Sequence, residues 1–306
     1  MKVLVTGGAG FIGSHVTKQL LDQGHEVVVY DNLSRGFKEL VDPRAKFVLG
    51  SLSEKDKLIA SLKNADAVIH MAAFITVPES VQKPSLYWEN NVTGTKILLE
   101  AMREAKVKKI IFSSSATVYG DPDKLPLTEE STVKKAVNPY GQTKIEMENL
   151  IKKEFEKSNL SAVLLRYFNP YGPNERHNPE THVVPNFIKA ALSHKPIPLY
   201  WKGEQTRDFI YVEDLAAAHI AVLPLEGFQI FNVGTGTGTK VIRLVEEIFK
   251  LVGHKVSVAD LGKREGDVSA LYTSADKIQQ EVGWQAKTSL EEGLRKTIDF
   301  YKNPIK

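Results

Sequence analysis

The sequence predicts an α/β protein built on a doubly wound parallel sheet, followed by a smaller α/β region. Three observations carry this expectation. Short β-branched runs alternate with longer helical patterns through the first half. Those runs are apolar almost throughout, which implies a sheet covered on both faces. A glycine-spaced turn joins the first run to the first helical pattern.

Strands are expected over 3–6, 26–30, 46–49, 67–70, 109–113 and 161–167. The first helix spans 11–23 and is closed by Gly24. Ser53, with Asp56 three residues on, predicts a helix start running to about Lys63. Helices follow over 84–105 and 139–156, the second with Asn138 as cap and Pro139 as its first residue. Beyond a Pro- and Gly-rich stretch after Asn169, helices are expected over 213–222, 239–252 and 289–301. The last opens with Ser289 and Glu292 at capping-box spacing and carries Leu290, Leu294, Ile298 and Tyr301 on one face. This divides the chain into a dinucleotide-binding domain over 1–168, with a return segment near 208–228, and a second domain over 169–306.

Composition narrows the class. The 306 residues are 42% apolar and 25% charged, which is ordinary for a globular chain and not for a disordered one. A net charge of +3 without a basic cluster argues against a nucleic-acid partner. With no cysteine, disulfides, thiolate catalysis and cysteine-held zinc are excluded. His177 and His182 lack a third convergent ligand, so no metal is expected. The first residues break into glycine at Gly7 and Gly8, too early for a signal-peptide core. No apolar run approaches the ~20 residues that span a bilayer. A soluble, cytoplasmic protein with no membrane partner is expected.

Gly7, Gly10 and Gly13 sit where a Rossmann-type turn brings backbone N–H groups and a helix N-terminus to a pyrophosphate. Asp31, about 20 residues on at the end of the second strand, is placed to accept from a ribose hydroxyl pair. It would repel a 2′-phosphate, which favours NAD over NADP, although Arg35 nearby keeps NADP open. Tyr140 and Lys144 lie at i and i+4, so both project from one helix face. A tyrosine working as a base near pH 7 needs its pKa lowered by ~3 units, or ~4 kcal/mol. One cation ~4 Å away supplies about that much. Ser115, just past a strand end, could hold a substrate oxygen while Tyr140 takes its proton. The Gly234–Thr239 run resembles a phosphate loop, yet no Gly-Lys-Ser/Thr follows it, and it reads as a strand-to-helix turn with a Thr cap.

Together these residues resemble the extended short-chain dehydrogenase/reductase family, and within it the UDP-glucose 4-epimerases. The carrying segments are Thr6 to Gly13, Asp31 to Ser34, Ser113 to Gly120, Tyr140 to Lys144, Leu165 to Pro170, Thr206 to Phe209 and Arg264 to Asp267. The resemblance implies a retained NAD, touched by Phe11, Ile12, Asp31, Asn32, Leu33, Ser34, Arg35, Gly36, Ser51, Leu52, Met71, Ala72, Ala73, Asn90, Lys144 and Phe168, besides the glycines. It implies a UDP-sugar substrate held by Thr117, Asn169, His182, Val183, Leu199, Tyr200, Arg207, Arg264, Asp267 and Leu271, with Ser115, Tyr140 and Lys144 catalytic. A homodimer formed by the helices over 84–105 and 139–156 is implied as well. Ser51 stands where many members carry Asp, Ile75 where some carry Lys, His182 where others carry Asn, and Leu271 where narrow-specificity members carry a gate Tyr. A 4,6-dehydratase would need an acid–base pair where this chain has Ala116 and Thr117. A uronate epimerase, a decarboxylase and a non-catalytic NAD sensor remain alternatives.

Overall fold

In the computed structural model, which describes residues 1–176, 182–263 and 268–303, seven parallel strands form one sheet. Their order is Phe228–Val233, Ser161–Tyr167, Lys109–Ser115, Ala67–His70, Lys2–Thr6, Glu26–Asp31 and Lys46–Leu49. The chain starts at Lys2–Thr6 and builds outward to Lys46–Leu49. It then returns to pair Ala67–His70 with the other edge of that first strand. Such a reversal is a switch point, and open α/β sheets bind ligands beyond the carboxyl ends of the strands there.

Alternation along the strands feeds two cores. Val3, Val5, Val27 and Val29 pack with Val16 and Leu20 of helix Phe11–Asp22 and with Leu215 of helix Val212–Ala221. Leu4, Val28 and Val68 pack on the opposite face with Leu58, Leu98 and Met147. Those three come from helices Lys55–Ser61, Gly94–Glu104 and Pro139–Lys157. Burial on both faces is why the strands carry no polar side. The doubly wound, Rossmann-type class is the one observed. A third core joins Phe187 and Ile188 of helix Val183–Leu192 to Leu244 and Ile248 of helix Val241–Val252. Leu294 and Ile298 of helix Leu290–Lys302 complete it.

Several local expectations change. The helix expected from Ser53 begins at Lys55, without a side-chain cap. Ser53 Oγ turns instead to Ser51 Oγ at 2.9 Å, and the Glu54 carboxylate takes the Ser51 N–H. The helix expected over 84–105 is three pieces: Pro84–Tyr87, a π-helical segment Trp88–Thr93, and Gly94–Glu104. The strand expected to end at Ser113 runs on to Ser115. Helices Val77–Gln82, Val183–Leu192 and Asp276–Val282 were not expected. The Gly234–Thr239 turn has no Thr cap, because helix Val241–Val252 starts after Lys240. Its donors are consumed from within: the buried Asp208 carboxylate takes the Thr235 N–H, the Thr235 hydroxyl and the Gly236 N–H.

Candidate active site

Strand Lys2–Thr6 runs into Gly7, whose φ of 74° lies in the left-handed region. A Cβ on Gly7 would stand 2.7 Å from the Ala72 nitrogen, and one on Gly13 would stand 2.2 Å from the Gly7 carbonyl oxygen. Only glycine lets helix Phe11–Asp22 close on the turn. That helix starts after Gly10 with no side-chain cap and no acidic residue in its first turn. Its unpaired N–H groups and positive end therefore face a cleft of about 720 Å³ lined by Gly7, Gly10, Phe11 and Ile12. Asp31 forms the next part of the wall. Its carboxylate accepts from Leu33 N–H at 2.8 Å and Ala9 N–H at 3.1 Å. Burial raises its pKa against those bonds. A helix N-terminus followed by a fixed acceptor fits the pyrophosphate and ribose of a dinucleotide.

The middle of the cleft holds Ser115, Tyr140 and Lys144. Asn138 caps helix Pro139–Lys157 by accepting from the Gly141 N–H at 2.8 Å, and Pro139 fills the first turn. Tyr140 and Lys144 then share the face turned to the end of strand Lys109–Ser115. Ser115 Oγ accepts from both the N–H and the hydroxyl of Thr117, at 3.3 and 3.0 Å, which leaves its own proton for the Tyr140 hydroxyl. Lys144 Nζ donates to the Ser113 carbonyl oxygen at 2.6 Å. Burial pushes Lys144 down to about 7, partly offset by Glu148, whereas burial pushes Tyr140 up to about 12 against its bond to Ser115. The expected lowering of Tyr140 by Lys144 is thus not what this pocket does on its own. Both groups are desolvated, and the ammonium is spent on a backbone carbonyl.

Behind this face the polar groups are paired. Glu148 and Arg166 form a buried ion pair, with guanidinium-to-carboxylate contacts of 3.0 and 2.7 Å. Ser114 donates to the same carboxylate. At the switch point, His70 is fully buried and bonds Thr6 at 2.7 Å and Thr95 at 2.9 Å.

The far half of the cleft holds Asn169, His182, Val183 and Arg207. His182 pairs with Glu175 at 2.6 Å. Arg207 donates to the Thr206 and Val268 carbonyl oxygens. Asn169 Oδ1 and Gln205 Oε1 are buried and have no hydrogen-bond partner among the described residues. Two orphaned acceptors in a cavity wall suit the donors of a polar ligand.

The cleft gathers every expected cofactor residue except Ser51, whose backbone oxygen accepts from Tyr30 and whose hydroxyl faces Ser53. Of the expected substrate residues, Leu199, Tyr200 and Leu271 do not line it. Leu199 is 2% exposed in the third core, on the short strand Ile197–Leu199. Tyr200 follows it into the turn Trp201–Gly203. Leu271 pairs beside Arg207 and packs, partly buried, against the cluster of Ala116, Val118, Tyr119, Leu127 and Phe168. Arg264 and Asp267 lie outside the described residues, as does His177. The cleft also contains Phe74, Thr76, Tyr167, Glu175, Arg176 and Gln205, which sequence reasoning missed. Tyr167 was the most accessible of these, since it directly precedes Phe168 at a strand end. No group of three His, Asp or Glu able to hold a metal occurs among the described residues. None of the described helices is long and apolar enough to cross a membrane.

The NAD dependent epimerase/dehydratase family matches residues 3–234. The chain belongs to this family. It is 39% identical to a UDP-glucose 4-epimerase of Lactobacillus helveticus, over 94% of this chain and 92% of that one. The UDP-glucose 4-epimerase of Bifidobacterium longum, solved in complex with NAD+ and UDP, superposes with a TM-score of 0.93 at 35% identity and 99% coverage of each chain. A UDP-N-acetylglucosamine 4-epimerase of Methanobrevibacter ruminantium, solved with UDP-N-acetylmuramic acid, superposes with a TM-score of 0.94 at 34% identity, again with 99% of each chain covered. The family match ends at residue 234, whereas these relatives are matched over almost the whole chain, the third core included.

Proposed function

We propose that this isomerase catalyses reversible, NAD-dependent epimerisation at C4 of a UDP-hexose through a 4-keto intermediate. The observation that carries the reading is a single cleft. It runs from the free N-terminus of helix Phe11–Asp22, past Ser115, Tyr140 and Lys144, to Arg207 and the orphaned acceptors of Asn169 and Gln205. The resemblance and the NAD- and UDP-bound relative support the same assignment.

The glycine turn and Asp31 would hold the cofactor's pyrophosphate and ribose, with Phe168 and Lys144 toward its reactive end. When bound, NAD supplies the hydride acceptor and donor for C4 and brings a positive ring charge into the pocket. Tyr140, as phenolate, takes the 4-hydroxyl proton and later gives it back to the same oxygen. Ser115 donates to whichever oxygen is negative, Tyr140 Oη or O4. Lys144 supplies the cation that favours the phenolate. Arg207 and Arg264 would hold the diphosphate, with Asp267 on another part of the UDP, so that the keto sugar can turn over without leaving. Tyr200 is proposed against the uracil.

Proton and hydride return to the atoms they left, so no net oxidation results and the cofactor stays bound. We place the boundary between the NAD-binding and substrate-binding parts near 168–170, with the later strand Phe228–Val233 belonging to the first. Leu86 and Trp88, exposed on the segment expected to pair in a homodimer, support that assembly.

The test is incubation of the purified protein, without added cofactor, with UDP-galactose, UDP-N-acetylgalactosamine and UDP-galacturonate, and chromatography of the products. Conversion of UDP-galactose to its C4 epimer is expected. Conversion of the acetylated sugar is expected as well. Leu271, beside Arg207, is smaller than a tyrosine, and the Methanobrevibacter relative is named a UDP-N-acetylglucosamine 4-epimerase. Turnover of the uronate alone would replace this reading with the uronate epimerase.

A further inference from the structure

Arg35 is the cation that could have made this an NADP site. It stands four residues beyond Asp31 on the same cleft-lining loop. In dinucleotide folds an arginine near the ribose carboxylate is what receives a 2′-phosphate. The structure commits it elsewhere. One Arg35 guanidinium nitrogen donates to both oxygens of Glu79, at 2.8 and 2.7 Å. The guanidinium also lies over the Phe74 ring, 5.2 Å from its centroid. Glu79 belongs to helix Val77–Gln82. The Tyr87 hydroxyl, which donates to the Thr76 carbonyl oxygen at 2.8 Å, also lies 3.1 Å from the Glu79 carboxylate, and Lys83 approaches it at 3.8 Å. The carboxylate, at 20% exposure, is the more buried partner, and the guanidinium, at 43%, reaches over to it.

At this end of the cleft Asp31 and Arg35 line the wall, and Glu79, which also meets the exposed Lys83, holds the guanidinium. We propose that Glu79 is a cofactor-specificity residue, which rejects NADP by holding Arg35 against itself so that a 2′-phosphate would meet Asp31 unneutralised. Asp31 supplies the acceptor that a ribose diol prefers, and Glu79 removes the cation that a phosphate would need. The inference rests on the NAD reading of the cleft and adds a second determinant outside the ribose-binding segment.

The experiment measures which nucleotide the protein holds, not how fast it turns over. Wild type, Glu79→Gln, and the double variant Glu79→Gln with Arg35→Ala are stripped of nucleotide and re-equilibrated with NAD and NADP together. They are then denatured, and the released nucleotides are separated and quantified. Glu79→Gln keeps a side chain of the same length that still accepts from Tyr87, so the helix remains folded. The expected result is a bound NAD-to-NADP ratio at least about fivefold lower in Glu79→Gln, restored toward wild type when Arg35 is also removed. An unchanged ratio in Glu79→Gln overturns the proposal, as does a lowered ratio that persists without Arg35. Wild type loading chiefly with NADP would instead overturn the NAD reading itself.

Discussion

Tyr140 and Lys144 share a helix face, but burial moves their proton affinities in opposite directions from their ordinary values, up for the phenol and down for the amine. The phenol therefore rests protonated, and its ionisation depends on positive charge and on the donor Ser115. Tyr140→Phe removes only the hydroxyl. Turnover should fall by ~10²–10⁴, the usual worth of a positioned base, while UDP affinity measured by calorimetry stays as in wild type. Ser115→Ala deletes the bond that lowers Tyr140. The acid limb of the kcat–pH profile should then move to higher pH, because a base with a raised pKa is deprotonated only at higher pH. A limb that stays in place would mean that Ser115 does not act on Tyr140.

At the scale of elements, the segment Trp88–Thr93 determines how the cleft wall meets helix Pro139–Lys157. A π turn carries one extra residue per turn, and here it turns Asn91 fully inward. The Asn91 carboxamide accepts from Phe74 N–H at 2.8 Å and donates to the Phe74 carbonyl oxygen at 3.0 Å and to Thr143 Oγ1 at 3.1 Å. Thr143 in turn donates to the Tyr140 carbonyl oxygen. Asn91→Ala orphans both Phe74 backbone groups, at about 1–3 kcal/mol each. Urea unfolding should show a loss in that range or above, with a rise in KM as the Phe74 segment loosens.

None of this was readable in advance. A π turn has no periodic signature, and an amide buried for its bonds looks in sequence like any polar helical residue. Helix Val183–Leu192 was missed for another reason: Pro185 and the Pro- and Gly-rich sequence before it mask an apolar face that packs only in the third core. The parallel strands were readable because burial on both faces leaves an unbroken apolar run. The glycines, Asp31, Ser115 and Tyr140 were readable because a switch point collects strand ends, and chemistry placed there carries strand context. Phe74, Gln205 and Arg176 line the same cleft from loops, where nothing marks them. Leu199 shows the converse, a residue that the resemblance assigns to the site and whose side chain is buried in the third core.

Across the whole molecule, two fully buried histidines link fold to pH. His70 lies between Thr6 and Thr95, and since Thr95 donates to the Asn91 carbonyl oxygen, its Nε2 carries the proton and its Nδ1 accepts. His219 bonds the Leu215 carbonyl oxygen through Nδ1 and meets the Tyr167 hydroxyl at Nε2. Burial pushes His70 down to about 3, helped by Lys144, and His219 down to about 4. Unfolded histidine titrates near 6.5. Below that the unfolded state binds more protons than the folded one, so the stability from these two groups is complete above pH 6.5. It is lost as pH falls toward their folded values. Each removes up to about 1.4 kcal/mol per pH unit in that window. Denaturant midpoints measured from pH 7 to 5 should fall steeply, and His219→Gln should flatten the slope. An equal slope in the variant would assign the acid sensitivity elsewhere.

The central claim is that hydride leaves C4 and returns to C4 inside one closed site, with Tyr140 handling only the oxygen-bound proton. UDP-glucose carrying deuterium at C4, incubated with the purified protein in ordinary water, tests it directly by mass spectrometry of the UDP-galactose formed. Full retention of the label at C4, with none passed to unlabelled UDP-sugar in the same mixture, is the predicted result. Loss of the label to solvent, or its accumulation in released cofactor beside a 4-keto product, would contradict the account.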